Sequence, residues 1–291
     1  MKNASPLRYP GGKSRITDFI CKLLKDNNII SGNYIEPFAG GCGIALNLLL
    51  NGTVSNIYIN DKDRSIFAFW HSILNYPDKF IDKIKNTEIT INEWIKQKEI
   101  QNNKETYDLF DLGFSTFFLN RTNRSGIIKG GVIGGIEQKG KWTLDVRFNK
   151  EKLIDKISKI AQYKDKIHLY NMDAVDFISL ITPKLSIDNS LFYLDPPYYV
   201  KGGQLYMNYF KHEDHVRIFN EVKKLKHYWL VSYDNQTEIK EIYKGIKNIT
   251  YLLRYTAGTK HNGSEIMFAS DSLIFDENIQ PLKIKKKNNN D

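Results

Sequence analysis

The stretch Leu191-Phe192-Tyr193-Leu194-Asp195-Pro196-Pro197-Tyr198 constrains this chain more than any other. Four apolar or aromatic residues in a row read as a strand buried on both faces, as in a parallel sheet covered by helices. An acid, two prolines and a ring then end it, because proline brings no N–H to a sheet ladder. Asp195 is therefore expected at the carboxyl end of a parallel strand, where open α/β sheets hold their ligands.

The rest of the chain supplies a sheet around that strand. Leu7-Arg8-Tyr9-Pro10-Gly11-Gly12-Lys13-Ser14 is a glycine turn that leads into an amphipathic helix from about Arg15 to Lys25. It offers Tyr9 as a ring and Lys13 as a mobile cation, or it is a plain terminal turn. Tyr34-Ile35-Glu36-Pro37-Phe38-Ala39-Gly40-Gly41-Cys42-Gly43, followed by the apolar run Ile44 to Leu50, reads as strand, glycine-rich turn and helix. Such a turn lets a ligand approach the backbone and a helix N-terminus. No Gly-Lys-Ser/Thr follows, so it is not a phosphate-cradling loop. Asn56-Ile57-Tyr58-Ile59-Asn60-Asp61 reads as a second strand ending in an acid. An acid there holds the ribose hydroxyl pair in nucleoside-binding sheets, or it caps the next helix. Together, the turn and Asp61 point to an adenosine-containing cofactor.

From residue 71 to 149 the rhythm changes. Helical stretches at Asp78–Lys85, Ile89–Gln101 and Thr106–Leu119 interrupt the α/β pattern. The loop that follows, Asn120-Arg121-Thr122-Asn123-Arg124-Ser125-Gly126 and on to Lys129, joins amides and bases to glycines. Those groups suit phosphate and base-edge contacts, although a solvated loop has the same composition. The α/β alternation then resumes. It gives a strand at Lys166–Tyr170 with Asp173 just beyond, a helix at Ala174–Ile181, and the strand that carries Asp195. A helix at Asp214–Leu225 and a strand at His227–Tyr233 follow. Ile249–Tyr255 and Ser264–Ser270 read as a closing antiparallel pair. The division expected is a catalytic domain at 1–70 and 150–276, an insertion at 71–149, and a lysine-rich, disordered tail at 277–291.

Composition narrows the setting. The net charge of +9 suits a polyanionic partner. No apolar run approaches the roughly 20 residues of a membrane helix, and no signal-peptide core follows the first residues. Two cysteines, Cys21 and Cys42, give neither a disulfide framework nor a zinc pattern, which fits a reducing cytoplasm. His212-Glu213-Asp214-His215 lacks the His-Glu-x-x-His spacing and reads as a polar helix start, so no metal is expected. The chain is expected to be a cytoplasmic monomer.

Asp-Pro occurs as an ordinary turn signal. Yet Asp195, Pro196, Pro197 and Tyr198 together suit methylation of an exocyclic amine on a nucleobase. Such an amine is a poor nucleophile because its lone pair is delocalised into the ring. A carboxylate and a main-chain carbonyl that accept its two N–H bonds draw the nitrogen toward tetrahedral geometry and free that lone pair. The prolines stiffen the turn without adding a competing donor. Tyr198 is expected to stack on the base.

The ordered set Tyr9-Pro10-Gly11-Gly12-Lys13, Glu36-Pro37-Phe38-Ala39-Gly40-Gly41, Asp61 and Asp195-Pro196-Pro197-Tyr198 resembles the Dam-like, D12-class family of DNA adenine-N6 methyltransferases. The likeness runs from Leu7 to about Phe268. It implies a Rossmann-like, seven-stranded fold that uses S-adenosyl-L-methionine and carries a mainly helical target-recognition insertion. It also implies cofactor contacts from Tyr9, Lys13, Glu36, Phe38, Gly40, Asp61, Asp173 and Asp195. Duplex DNA contacts are implied for Asn120, Arg121, Asn123, Arg124 and Lys129. Members that methylate GATC tend to carry an arginine just past an Asn-Gly turn. Here the turn is Ser125-Gly126, and Lys129 stands in that place, so a looser or different target sequence is expected. The alternatives are an N4-cytosine methyltransferase, a ribosomal-RNA guanine-N2 methyltransferase, and a catalytically silent DNA-binding protein on the same fold. The intact tetrapeptide and Asp61 speak against the last.

Overall fold

The structure is a computed structural model that describes residues 4–9, 12–199, 210–255 and 261–274. The expected tail at 277–291 lies outside the described residues. Seven strands form one sheet: β1 (Asn33–Glu36), β2 (Asn56–Asn60), β3 (Ile167–Tyr170), β4 (Ser190–Leu194), β5 (Tyr228–Asp234), β6 (Asn248–Tyr255) and β7 (His261–Ala269). Their order is β3-β2-β1-β4-β5-β7-β6. The first five are parallel, and β7 runs antiparallel between β5 and β6. β1 and β4 are neighbours in mid-sheet, and the chain reverses its direction of strand addition there. That switch point opens a crevice at the carboxyl ends of the strands.

Period-2 geometry sends alternate side chains to opposite faces. Tyr34, Leu191, Tyr193 and Leu230 enter one core, while Ile35, Phe192, Leu194 and Val231 enter the other. Both faces are covered, which is why the central strands read as unbroken apolar runs. On the first face lie α1 (Thr17–Asp26), α2 (Gly43–Leu50), α3 (Arg64–Asn75) and α7 (Lys150–Ala161). On the second lie α8 (Ala174–Ile181), α9 (His212–Val222) and α10 (Thr237–Ile242).

The segment expected as an insertion holds α4 (Pro77–Asn86), α5 (Ile91–Asn102) and α6 (Leu109–Thr122). Asp63, Thr90, Asp108 and Asp173 cap α3, α5, α6 and α8, each by accepting a backbone N–H of the first turn. The expected boundary at residue 71 falls inside α3, which runs on to Asn75. Residues of α4 and α6 also belong to the same core as the sheet. Phe80 meets Phe69 edge-on, and Phe69 stacks on Phe117 at 5.9 Å. Burying one such ring is worth about 1.5–3 kcal/mol. The ring cluster therefore fastens these helices to the sheet layer, and they share one core with it.

Candidate active site

At the carboxyl end of β4 the chain turns at Asp195, and the two prolines carry it away from the ladder. The Asp195 carboxylate receives two hydrogen bonds on one oxygen. Lys13 Nζ donates to Oδ1 at 2.9 Å, and Ser232 Oγ of the neighbouring β5 donates to Oδ1 at 2.8 Å. Oδ2 accepts no hydrogen bond among the described residues. Ser232 is itself within 2.9 Å of Tyr193 Oη on β4. Lys13 is enclosed, with 1% of its side chain exposed, and it also reaches Tyr198 Oη at 3.0 Å and Glu265 Oε2 at 3.3 Å. Glu265, on β7, is fully buried. It accepts from Tyr198 Oη at 2.6 Å and from Tyr251 Oη at 2.8 Å. One lysine thus joins two carboxylates in a closed polar cluster.

Burial opposes every charge in this cluster, and the ion pairs decide the outcome. Burial alone would lower the Lys13 pKa, but Asp195 and then Glu265 outweigh it and hold the ammonium well above its ordinary value. Burial raises the Asp195 pKa, with Lys13 pulling it down and Glu265 pushing it up. Beyond the tetrapeptide, Asp234 at the end of β5 accepts from the backbone N–H of Tyr199 at 3.0 Å and so fixes the exit of the turn.

Lys13 and Tyr198 lie together beside Asp195. Lys13 lies against the Asp195 carboxylate. Tyr198 is 3% exposed, with its hydroxyl held by Glu265 and Lys13 and the ammonium 4.9 Å from its ring centroid. The open ring face that stacking on a base requires is not presented, and Tyr198 acts here as an anchor.

The glycine-rich turn after β1 packs against the N-terminal segment. Gly40 has φ +45°, and its N–H donates to Asp61 Oδ2 at 2.9 Å while its carbonyl accepts from Trp70 Nε1. A Cβ at Gly40 would stand 2.7 Å from the ring of Tyr9, so only glycine lets that ring settle on the turn. Asp61 takes a second backbone N–H, from Asp63, on Oδ1. Burial, and next the Asp63 charge, push its carboxyl up to about 7. Glu36 is buried beneath the turn and accepts from Ala45 N of α2, and burial pushes it up to about 8. Phe38 is half-buried, edge-on to Phe210 at 5.8 Å. A carboxylate, an aromatic ring and a helix N-terminus around a turn without side chains fit a nucleoside-bearing cofactor in their chemistry. Asp173 is engaged differently. It caps α8 and pairs with Lys62 at 3.1 Å and Arg217 at 2.8 Å. Burial would raise its pKa, but these partners outweigh it and hold the carboxyl below the ordinary value.

The loop expected to contact DNA divides in two. Arg124 and Lys129 are exposed. Asn120 and Asn123 are buried, and this corrects their expected role. Asn120 accepts from Arg8 N at 2.7 Å and donates to the carbonyls of Arg8 and Gly126. Asn123 accepts from Trp94 Nε1 and donates to the carbonyls of Ile127 and Ile128. Their amides fold the loop and leave no group for a base edge. Arg121 lies half-covered behind them. Sequence reasoning missed Ser232, Asp234 and Glu265. The only signal for Glu265 was an acid at a core-facing strand position.

The fold and the tetrapeptide at its switch point define a Rossmann-like methyltransferase. A family model, D12 class N6 adenine-specific DNA methyltransferase, matches residues 9–256, and the chain belongs to that family. It is an adenine-specific DNA methyltransferase. A curated relative, the type II methyltransferase M.MjaIII of Methanocaldococcus jannaschii, is 25% identical over 245 residues, covering 75% of this chain and 79% of its own. A solved structure from Pyrococcus horikoshii, PH1948, assigned as an RNA methyltransferase, aligns with a TM-score of 0.41 at 9% identity, over 88% of this chain and 79% of its own. Among the described residues there is no group of three or more His, Cys, Asp or Glu placed to hold a metal ion, and no helix long and apolar enough to cross a membrane.

Proposed function

We propose that this chain transfers the methyl group of S-adenosyl-L-methionine to N6 of an adenine rotated out of duplex DNA, at a specific sequence. The cofactor supplies an electrophilic methyl on a cationic sulfur. The observation that carries the reading is the asymmetry at Asp195. Oδ1 is held by Lys13 and Ser232, while Oδ2 keeps its lone pairs for one N–H of the amine. The Pro196 carbonyl takes the other N–H, and proline adds no donor that would compete. Catalysis is mainly positioning and fixed electrostatics, with no strong base, because nitrogen releases its proton readily once it becomes cationic.

Asp61 is the acceptor for a ribose hydroxyl pair, with Phe38, Tyr9 and the Gly40 turn completing the cofactor's cradle and Glu36 supporting that turn from below. The exposed Arg124 and Lys129 face the DNA, as a monomer reading its site would require. The name of the archaeal relative favours service beside a restriction activity. Asp195→Ala should lower methyl transfer at least about a hundredfold while DNA stays bound. The assay is labelled cofactor with DNA and with RNA, followed by digestion and nucleoside identification. Near-normal turnover in that variant, or label in RNA alone, would refute the reading.

A further inference from the structure

Four cations meet at the end of α6, away from Asp195, and among the described residues no acid pairs with them. Arg8 precedes the glycine turn, Arg121 is in the last turn of α6, Arg147 ends a short 3-10 segment (Leu144–Arg147), and Lys156 is on α7. Arg8 is placed by its backbone. Asn120 grips both its N–H and its carbonyl, and the Gly126 Cα lies so close that a Cβ there would stand 2.1 Å from the Arg8 carbonyl oxygen. The Arg8 guanidinium donates through Nη1 to the Asn123 carbonyl at 3.1 Å. Lys156 Nζ donates to the Ser5 carbonyl at 2.8 Å. Arg121 is the odd member. Its Nε is buried and has no hydrogen-bond partner. None of the four has a carboxylate at ion-pair distance among the described residues, and the neighbouring Asp145 accepts from Thr143.

The four feel one another. Burial, then the charges of Arg8 and Arg147, push the Arg121 pKa down to about 10. Burial and then Arg147 lower Arg8, and burial and then Arg121 lower Lys156. A buried donor without a partner, among like charges, is costly to keep and is retained where a ligand completes it. Guanidinium forks match the oxygens of a phosphate, and Arg147 is exposed, so the cluster has an open side.

We propose that Arg8, Arg121, Arg147 and Lys156 form a phosphate-binding subsite that grips one backbone phosphate of the DNA, outside the catalytic pocket. This rests on the reading of DNA as the substrate. The subsite reads no base. It fixes register, as phosphate contacts do, beside the loop that bears Arg124 and Lys129.

The test uses Arg121→Met, which keeps the packed stem, and Arg147→Gln, which changes an exposed group. Each is compared with wild type for binding to a duplex across a salt series. The log–log slope of affinity against salt should become less negative by about 0.9 in each variant, equally for duplexes with and without adenine in the strand. The melting temperature without added anion should rise, because a like charge has gone from an uncompensated cluster, whereas loss of a merely structural residue would lower it. Inorganic phosphate at fixed ionic strength should stabilise wild type and neither variant. An unchanged slope in both folded variants would overturn the proposal. So would a phosphate response lost without any change in slope, which would assign the site to a free anion. Methyl transfer to adenine by wild type, measured in parallel, tests the underlying reading separately.

Discussion

Lys13→Met offers a direct probe of the active-site cluster. The substitution keeps most of the stem and removes a cation that lies between the half-buried Asp195 carboxylate, at 2.9 Å, and the buried Glu265 carboxylate, at 3.3 Å. At an effective dielectric of about 20, each pair at this range is worth about 5–6 kcal/mol, before the desolvation that opposes it. Breaking a buried pair from one side costs about 3–5 kcal/mol net. Without the cation, the Asp195 carboxylate has a like charge beside it and no opposite one to offset its burial. Removing the cation removes what pulls the Asp195 pKa down, so its protonated form persists to higher pH. Urea unfolding should show the loss of about 3–5 kcal/mol. Single-turnover methyl transfer should fall, and its acid limb should move to higher pH, so that activity partly returns on alkaline titration. Adding Glu265→Gln should recover much of the stability by removing the second charge. A loss below about 1 kcal/mol together with an unmoved pH profile would refute the argument, since a cation that holds neither carboxylate would leave both quantities alone.

The remaining predictions concern the cofactor turn and target choice. Asp61→Ala should weaken cofactor binding by about 1.5–3 kcal/mol by calorimetry. In wild type the affinity should fall about tenfold per unit as pH drops below about 7, where that carboxyl protonates, and the variant should be flat. Glu36, raised from 4.5 to about 8, favours the fold when protonated, so its contribution is complete below the unfolded pKa and is lost as pH rises through about 8. About 1.4 kcal/mol of that loss falls between pH 7 and 9, and Glu36→Gln should remove it from the melting curves. Lys129→Ala should relax preference at one base pair by about 1–3 kcal/mol if the lysine reads a base, as sequencing of genomes methylated by each form would report. An identical motif from both forms would exclude that role.

The positions of Asp195 and Asp61 were legible because each ends a strand whose burial shows as an apolar run, and strand ends are where α/β sheets hold ligands. Helices with clear periodicity and caps, such as Ala174–Ile181, were legible for the same local reasons. Glu265 was not. It acts because β7 inserts between β5 and β6 and brings an acid under Lys13, and no local pattern encodes that order. Asn120 and Asn123 misled because an amide in a glycine-rich loop looks like a surface group. Here each makes three hydrogen bonds inside the loop, with backbone groups or the Trp94 indole. Residue 71 misled as a boundary because the helical segment shares its core with the sheet, so the composition shifts where the packing does not.

The N-terminal segment explains how these parts form one machine. Arg8 is gripped by Asn120 of α6, Tyr9 lies on Gly40 and Gly41 of the turn after β1, and Lys13 ends on Asp195. Arg8, Tyr9 and Lys13 thus touch Asn120, the glycine-rich turn after β1 and the Asp195 carboxylate. The contacts at both ends are buried or nearly so and hydrogen-bonded, and close-packed contacts transmit displacement without yielding. Arg8, Tyr9 and Lys13 are the points at which the N-terminal segment joins α6, the glycine-rich turn and the end of β4.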